Sequence, residues 1–193
     1  MNVKRTGIIA VVLLVAVFAL AAGTVRADEI TLAGTTSSTP PSGISFLPGS
    51  FNGMTSGGFA AFSNLGSFTL STTPTTYSGV VNLQIAFSLP TGIAGGATTT
   101  FVANLFGNVS TTATGGVSIV FSNPTQTFTF SNSGGSGSFT FTVNNLSINP
   151  GGTTNLSGFV TSAAFTPVPE ASSALLLGAG LFLTSLLGLK KAG

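Results

Sequence analysis

The stretch "TFTFSNSGGSGSFTFTV", Thr127 to Val143, constrains the fold most. Phe128 and Phe130 alternate with Thr127 and Thr129, and Phe139, Phe141 and Val143 alternate with Ser138, Thr140 and Thr142. A period of two puts every phenylalanine on one side of an extended chain and every hydroxyl on the other. With a turn over Ser131–Ser138, the stretch predicts a β-hairpin with one aromatic and one hydroxyl face.

The same period recurs elsewhere. "YSGVVNLQIAFSL" places Val81, Leu83, Ile85, Phe87 and Leu89 on one face, with Asn82, Gln84, Ala86 and Ser88 opposite. Phe101, Ala103 and Leu105 form a second such set, and Val117, Ile119 and Phe121 a third. A strand is expected around Phe68 and Leu70, a weaker one in "SGISFLPGSF", and a last one over 155–165. The phase changes after Val143, so Asn144-Asn145 marks a bulge or a strand break. Pro40, Pro41, Pro48, Pro74, Pro90, Pro124 and Pro150 fall between the runs, where proline's missing N–H does least harm.

Seven to nine short strands and no helical period between Glu29 and Pro169 predict an all-β fold. The expected architecture is a single antiparallel β-sandwich over 28–165, flanked by an N-terminal signal helix and a C-terminal transmembrane helix. A parallel β-solenoid is the alternative, and it would need a fixed repeat that the sequence does not show.

Composition decides whether this region folds. From Ile30 to Pro169, 47 of 140 residues are Ser or Thr, a bias shared with disordered linkers. Yet 15 of the 17 phenylalanines lie there, and disordered chains are poor in aromatics.

The same 140 residues contain no charged side chain. The basic residues are Lys4, Arg5, Arg26, Lys190 and Lys191, so the net charge of +2 belongs to the two ends. Once 1–27 and the residues beyond Glu170 are removed, Asp28, Glu29 and Glu170 leave a net charge of −3. A nucleic-acid partner is excluded, because nothing in the middle region can neutralise phosphates.

Catalysis is equally poorly provided for. The chain has no His and no Cys. Residues 30–169 offer no carboxylate, imidazole, amine or thiol to act as acid, base, activated nucleophile or metal ligand. The glycine-rich "SGGSGS" lacks the Lys-Ser/Thr ending of a phosphate loop and sits in the hairpin. The expectation is a non-enzymatic protein with no catalytic residues, no metal site and no cofactor. Asn108-Val-Ser110, Asn145-Leu-Ser147 and Asn155-Leu-Ser157 match the glycosylation triplet, and in a chain this rich in Asn, Ser and Thr they read as surface turns. The Thr/Ser face of 125–142 reads first as the solvated side of a sheet made soluble without charge, and secondly as a surface for carbohydrate or ice.

The two ends carry addresses. Lys4 and Arg5 precede the apolar run Ile8–Ala22, and Val25 and Ala27 stand three and one residues before Asp28. That order predicts a secretory signal peptide over 1–27, cut between Ala27 and Asp28, after passage through the secretion translocon. At the other end, 171–189 are uncharged and Lys190 and Lys191 follow. As a helix this segment would be about 28 Å long, close to the hydrocarbon thickness of a bilayer. The two lysines would hold its far end in the cytoplasm. Gly180, Thr184 and Gly188 would form a ridge of small residues on it.

The segment "VPEASSALLLGAGLFLTSLLGLKK" resembles the PEP-CTERM sorting segment of exopolysaccharide-producing Gram-negative bacteria, also catalogued as the ice-binding protein C-terminal domain. Val168, Pro169 and Glu170 match the start of its motif, and Ala171 stands where a second Pro is usual. The resemblance covers 166–193 only. It implies recognition by an exosortase near Pro169-Glu170, an inner-membrane intermediate, and release to the cell surface or extracellular matrix, with exopolysaccharide as a further partner. The leading expectation is therefore an exported surface or matrix protein. The alternatives are a carbohydrate- or ice-binding module and a permanently anchored, adhesin-like membrane protein.

Overall fold

The structure, a computed structural model, describes residues 29–168. The expected signal segment with Ala27 and Asp28 lies outside the described residues. So do Pro169, Glu170, the segment 171–189, Lys190 and Lys191.

The described chain is all-β, with thirteen strands in antiparallel sheets that include a curled half-barrel. In chain order the strands are β1 (Thr31–Ser38), β2 (Ile44–Pro48), β3 (Ser50–Met54), β4 (Ala60–Phe62), β5 (Gly66–Leu70), β6 (Thr75–Leu89) and β7 (Thr98–Val109). They continue with β8 (Gly115–Phe121), β9 (Thr125–Asn132), β10 (Gly135–Val143), β11 (Leu146–Ile148), β12 (Thr153–Asn155) and β13 (Gly158–Pro167). A six-stranded sheet runs β11-β8-β7-β6-β1-β3, a four-stranded sheet β4-β13-β10-β9, and a three-stranded sheet β12-β5-β2. Every paired strand is antiparallel, which is incompatible with a parallel solenoid.

The alternation read from the sequence is what builds the core. Val81, Leu83, Ile85 and Phe87 of β6 are buried, as are Phe101, Ala103 and Leu105 of β7, Val117, Ile119 and Phe121 of β8, and Phe139, Phe141 and Val143 of β10. Phe141 of the four-stranded sheet is the hub. Its ring centroid lies 5.6 Å from Phe87 and 6.2 Å from Phe101 of the six-stranded sheet, and 5.9 Å from Phe51 and 6.0 Å from Phe62. Phe128 and Phe139 stack 5.1 Å apart beside it. The core thus lies between the two larger sheets. Burying a phenylalanine of this kind stabilises the fold by about 1.5–3 kcal/mol.

Small residues let the aromatics in. A Cβ on Gly137 would stand 2.6 Å from the ring of Phe130, its cross-strand partner. A Cβ on Gly34 would stand 2.7 Å from the ring of Phe51, its partner in β3. The rings occupy the space those side chains would need, which is one reason phenylalanine and glycine are abundant together here.

Several expectations need correction. The hairpin turn is tighter than Ser131–Ser138: Asn132 pairs with Gly135, and only Ser133 and Gly134 lie between the strands. Leu89 is 39% exposed and does not join the inward face of β6. The β1–β6 register slips there, so that Phe87 pairs with Gly34 but Leu89 with Ala33. Ser88 is the extra residue, and one extra residue swaps the face of everything after it. The segment "SGISFLPGSF" is two strands in two sheets, β2 and β3. The final stretch divides into β12 and β13, which also belong to different sheets.

The break expected at Asn144-Asn145 is where the chain leaves the four-stranded sheet for the six-stranded one. Asn145 secures the crossing, its Oδ1 accepting the Phe121 N–H at 2.8 Å. Another junction is held by Thr36, buried in β1. Its hydroxyl donates to the Leu65 carbonyl at 2.8 Å and accepts the Gly49 N–H at 3.0 Å. No buried side-chain N or O atom among the described residues lacks a hydrogen-bond partner.

Candidate functional site

The outward side of the four-stranded sheet is the hydroxyl face. Cross-strand register places Thr125 opposite Thr142, Thr127 opposite Thr140 and Thr129 opposite Ser138. On its other flank β10 meets β13, where Thr142 faces Phe159, Thr140 faces Thr161, Ser138 faces Ala164 and Ser136 faces Thr166. The inward phase of these strands is taken by Phe130, Phe139, Phe141 and Val160. A side-chain period of two then leaves every one of these hydroxyls on the outside.

The hydroxyls are organised laterally. Thr125 and Thr142 are hydrogen-bonded at 3.0 Å, and so are Thr127 and Thr140. Each hydroxyl has one donor and two acceptor positions, so a bonded pair keeps one O–H and several lone pairs for a ligand or water.

Three features interrupt the regular ladder. At one end, Phe59 and Phe159 stack on the outside at 6.3 Å with an interplanar angle of 28°, and Phe59 is 51% exposed. In the middle, the β10–β13 register shifts between Ser138 and Thr140. The bulge sets Ser162 in the left-handed region at φ 53°, exposed beside Thr161. A non-glycine residue held there costs about 1–3 kcal/mol and persists only where its surroundings over-determine it. The Ala163 N–H is bonded to the Gly58 carbonyl at 3.2 Å, which ties the bulge to the loop that carries Phe59.

At the far end is a shallow depression of about 520 Å³, lined by Thr129, Ser131, Ser136, Ser138 and Thr166 with Gly137 between them. The segment 92–94 forms its rim. Ser131 N–H bonds the Gly92 carbonyl at 3.0 Å and Ala94 N–H bonds the Thr129 carbonyl at 2.9 Å, which also covers this part of the β9 edge.

No group of three or more His, Cys, Asp or Glu residues occurs among the described residues. The chemistry available on this face is hydrogen bonding by neutral hydroxyls and stacking on the exposed ring of Phe59. Of the sequence-predicted site residues, the structure places one. Val168 follows β13 directly and is 58% exposed. Of the three glycosylation triplets, Asn145 is engaged with the backbone as described, and Asn108 and Asn155 are exposed at a strand edge or end. No helix among the described residues is long and apolar enough to cross a membrane.

Sequence reasoning found the Thr/Ser face but missed Phe59, Phe159 and Ser162. Phe159 follows Gly158 in a segment with no neighbouring alternation, and Phe59 sits in a glycine-rich loop, so nothing local pairs them. Comparison of the chain with protein-family models, with curated proteins and with solved structures returned no match.

Proposed function

We propose that this chain is an exported, non-enzymatic cell-surface or extracellular-matrix protein, sorted and cleaved through its C-terminal segment. Its working part is a single antiparallel β-sandwich over 28–165. The secretion translocon carries it across the inner membrane and the signal peptide is cut between Ala27 and Asp28. Residues 171–189, stopped by Lys190 and Lys191, hold an inner-membrane intermediate until an exosortase acts near Pro169-Glu170.

One observation carries most of this reading. Val168, the first residue that matches the sorting motif, is exposed immediately beyond the last described strand. An enzyme working next to the membrane would meet Val168 without having to open a strand. The sandwich reading is supported by Phe141, whose ring reaches partners in both larger sheets. The non-enzymatic reading is supported by a 140-residue region with no ionisable acid, base or thiol beyond the Tyr77 phenol, which is buried in the core.

The test is the intact mass of the protein recovered from the native cell surface. The expected species begins at Asp28 and ends near Pro169 or Glu170. Recovery with 171–189 still attached, from cells that possess an exosortase, would replace this reading with a permanently anchored protein.

A further inference from the structure

We propose that the outer face of the β4-β13-β10-β9 sheet is a binding site for a neutral polysaccharide. Phe59 and Phe159 form its stacking platform, and the Thr and Ser hydroxyls form a polar track leading to the depression around Ser136 and Ser138. The inference rests on the reading of the domain as a non-enzymatic surface protein and adds the ligand class.

Three independent observations converge on this one face. The first is the aromatic pair of exposed Phe59 and partly buried Phe159. A half-exposed phenylalanine steadied by a neighbouring ring offers apolar surface to water, and the C–H face of a pyranose ring packs against such a surface. The second is the hydroxyl track. Sugar hydroxyls both donate and accept, and so do the bonded pairs Thr125–Thr142 and Thr127–Thr140. The third is the bulge at Ser162, which places a strained residue between platform and depression. Bulges re-aim side chains next to functional sites, and backbone strain persists where it serves one.

Charge decides the ligand class. From Ile30 to Val168 there is no charged side chain to pair with a polyanion or polycation. A charged polymer docked here would lose hydration without a counter-charge, whereas a neutral polyol exchanges one set of hydrogen bonds for another. Length fits a chain rather than a monosaccharide. From Thr142, beside Phe159, to Ser136, beside Thr166, the strand extends about 20 Å at about 3.3 Å per residue.

The experiment is calorimetric titration of the full-length protein in a zwitterionic detergent, since sugar-headed detergents would compete. The probes are cello- and manno-oligosaccharides, with an alginate oligosaccharide as the charged comparison. Binding to at least one neutral probe is expected. Phe59→Ala should weaken it about tenfold at unchanged Tm, and Phe59→Tyr should preserve it. Thr127→Tyr, which obstructs the track, should weaken it as well, whereas Phe106→Ala on the opposite sheet should leave it unaltered.

The proposal is overturned if no neutral probe binds, if alginate binds in preference, or if binding survives Phe59→Ala and Thr127→Tyr but is lost in Phe106→Ala. Ice-growth inhibition by a protein that retains no glycan would overturn it too. These outcomes leave the sorting reading untouched, because that reading is tested by the mass of the recovered protein.

Discussion

The two large sheets turn very different outer faces to solvent, although both are drawn from the same charge-free composition. On the six-stranded sheet, Val80, Val102 and Phe106 are exposed, directly opposite Asn104, Asn82 and Ser78 respectively. Polar contacts there are isolated, such as the Asn104 amide on Ser122 at 3.2 Å and the Ser118–Ser147 pair at the β11 edge. On the four-stranded sheet, hydroxyls pair across strands in consecutive rows, and exposed Phe59 stacks on partly buried Phe159 at one end. Solubility without charge needs only polar atoms outside, and both faces meet that need. Only the four-stranded sheet adds order to it, and order in a polar surface is what a repeating ligand can read.

The comparison can be broken at four points, from the largest effect to the smallest. Phe141→Ala removes the ring that both sheets share, and should cost about 3–5 kcal/mol in urea unfolding. Hydrogen-exchange protection of β7 and β10 should fall together. Loss in β10 alone would mean that the two faces do not hang on one core.

Thr36→Val probes a hydroxyl that is buried, on the six-stranded side. It strips the Leu65 carbonyl and the Gly49 N–H of their partner, for an expected loss of about 1–3 kcal/mol. A neutral result would mean that water replaces the hydroxyl at that junction.

Exposed hydroxyls should matter far less. A double-mutant cycle on Thr127→Val and Thr140→Val should return a coupling of about 0.2–1 kcal/mol. A coupling indistinguishable from zero would make the ladder a set of independent threonines, and the contrast between the faces would lose its basis. The smallest effect is expected for Phe106→Ser, an exposed position on the less ordered face, within about 0.5 kcal/mol in the same assay. A larger loss would show that this ring is covered by something in solution, which a sedimentation experiment would detect.

Legibility from sequence followed the strength of local alternation. β6, β7, β8 and the β9–β10 pair were readable because apolar residues recur at every second position along them. β1, "TLAGTTSS", was not, since Gly34, Thr36 and the other inward residues after Leu32 are small or polar. Its place in the six-stranded sheet is set by neighbours on both sides and by the buried Thr36 hydroxyl. β4 and β12 have three residues each, too few to show a period. The inward placement expected for Leu89 failed because a bulge is a property of two strands in register, and one strand's sequence does not contain it.

By itself, the sequence determined that the middle region is all-β, that along 125–142 the hydroxyls face outward and Phe130, Phe139 and Phe141 inward, and that ionisable side chains are missing from 30–169 apart from Tyr77. These are consequences of side-chain type and of a local period, and both can be read along the chain. Tertiary structure alone decided which strands share a sheet, where the register slips, and that Phe59 meets Phe159 at the end of a threonine ladder. Those depend on segments distant in sequence coming together, and the close packing of rings over glycines selects that pairing among the many that alternation alone would allow.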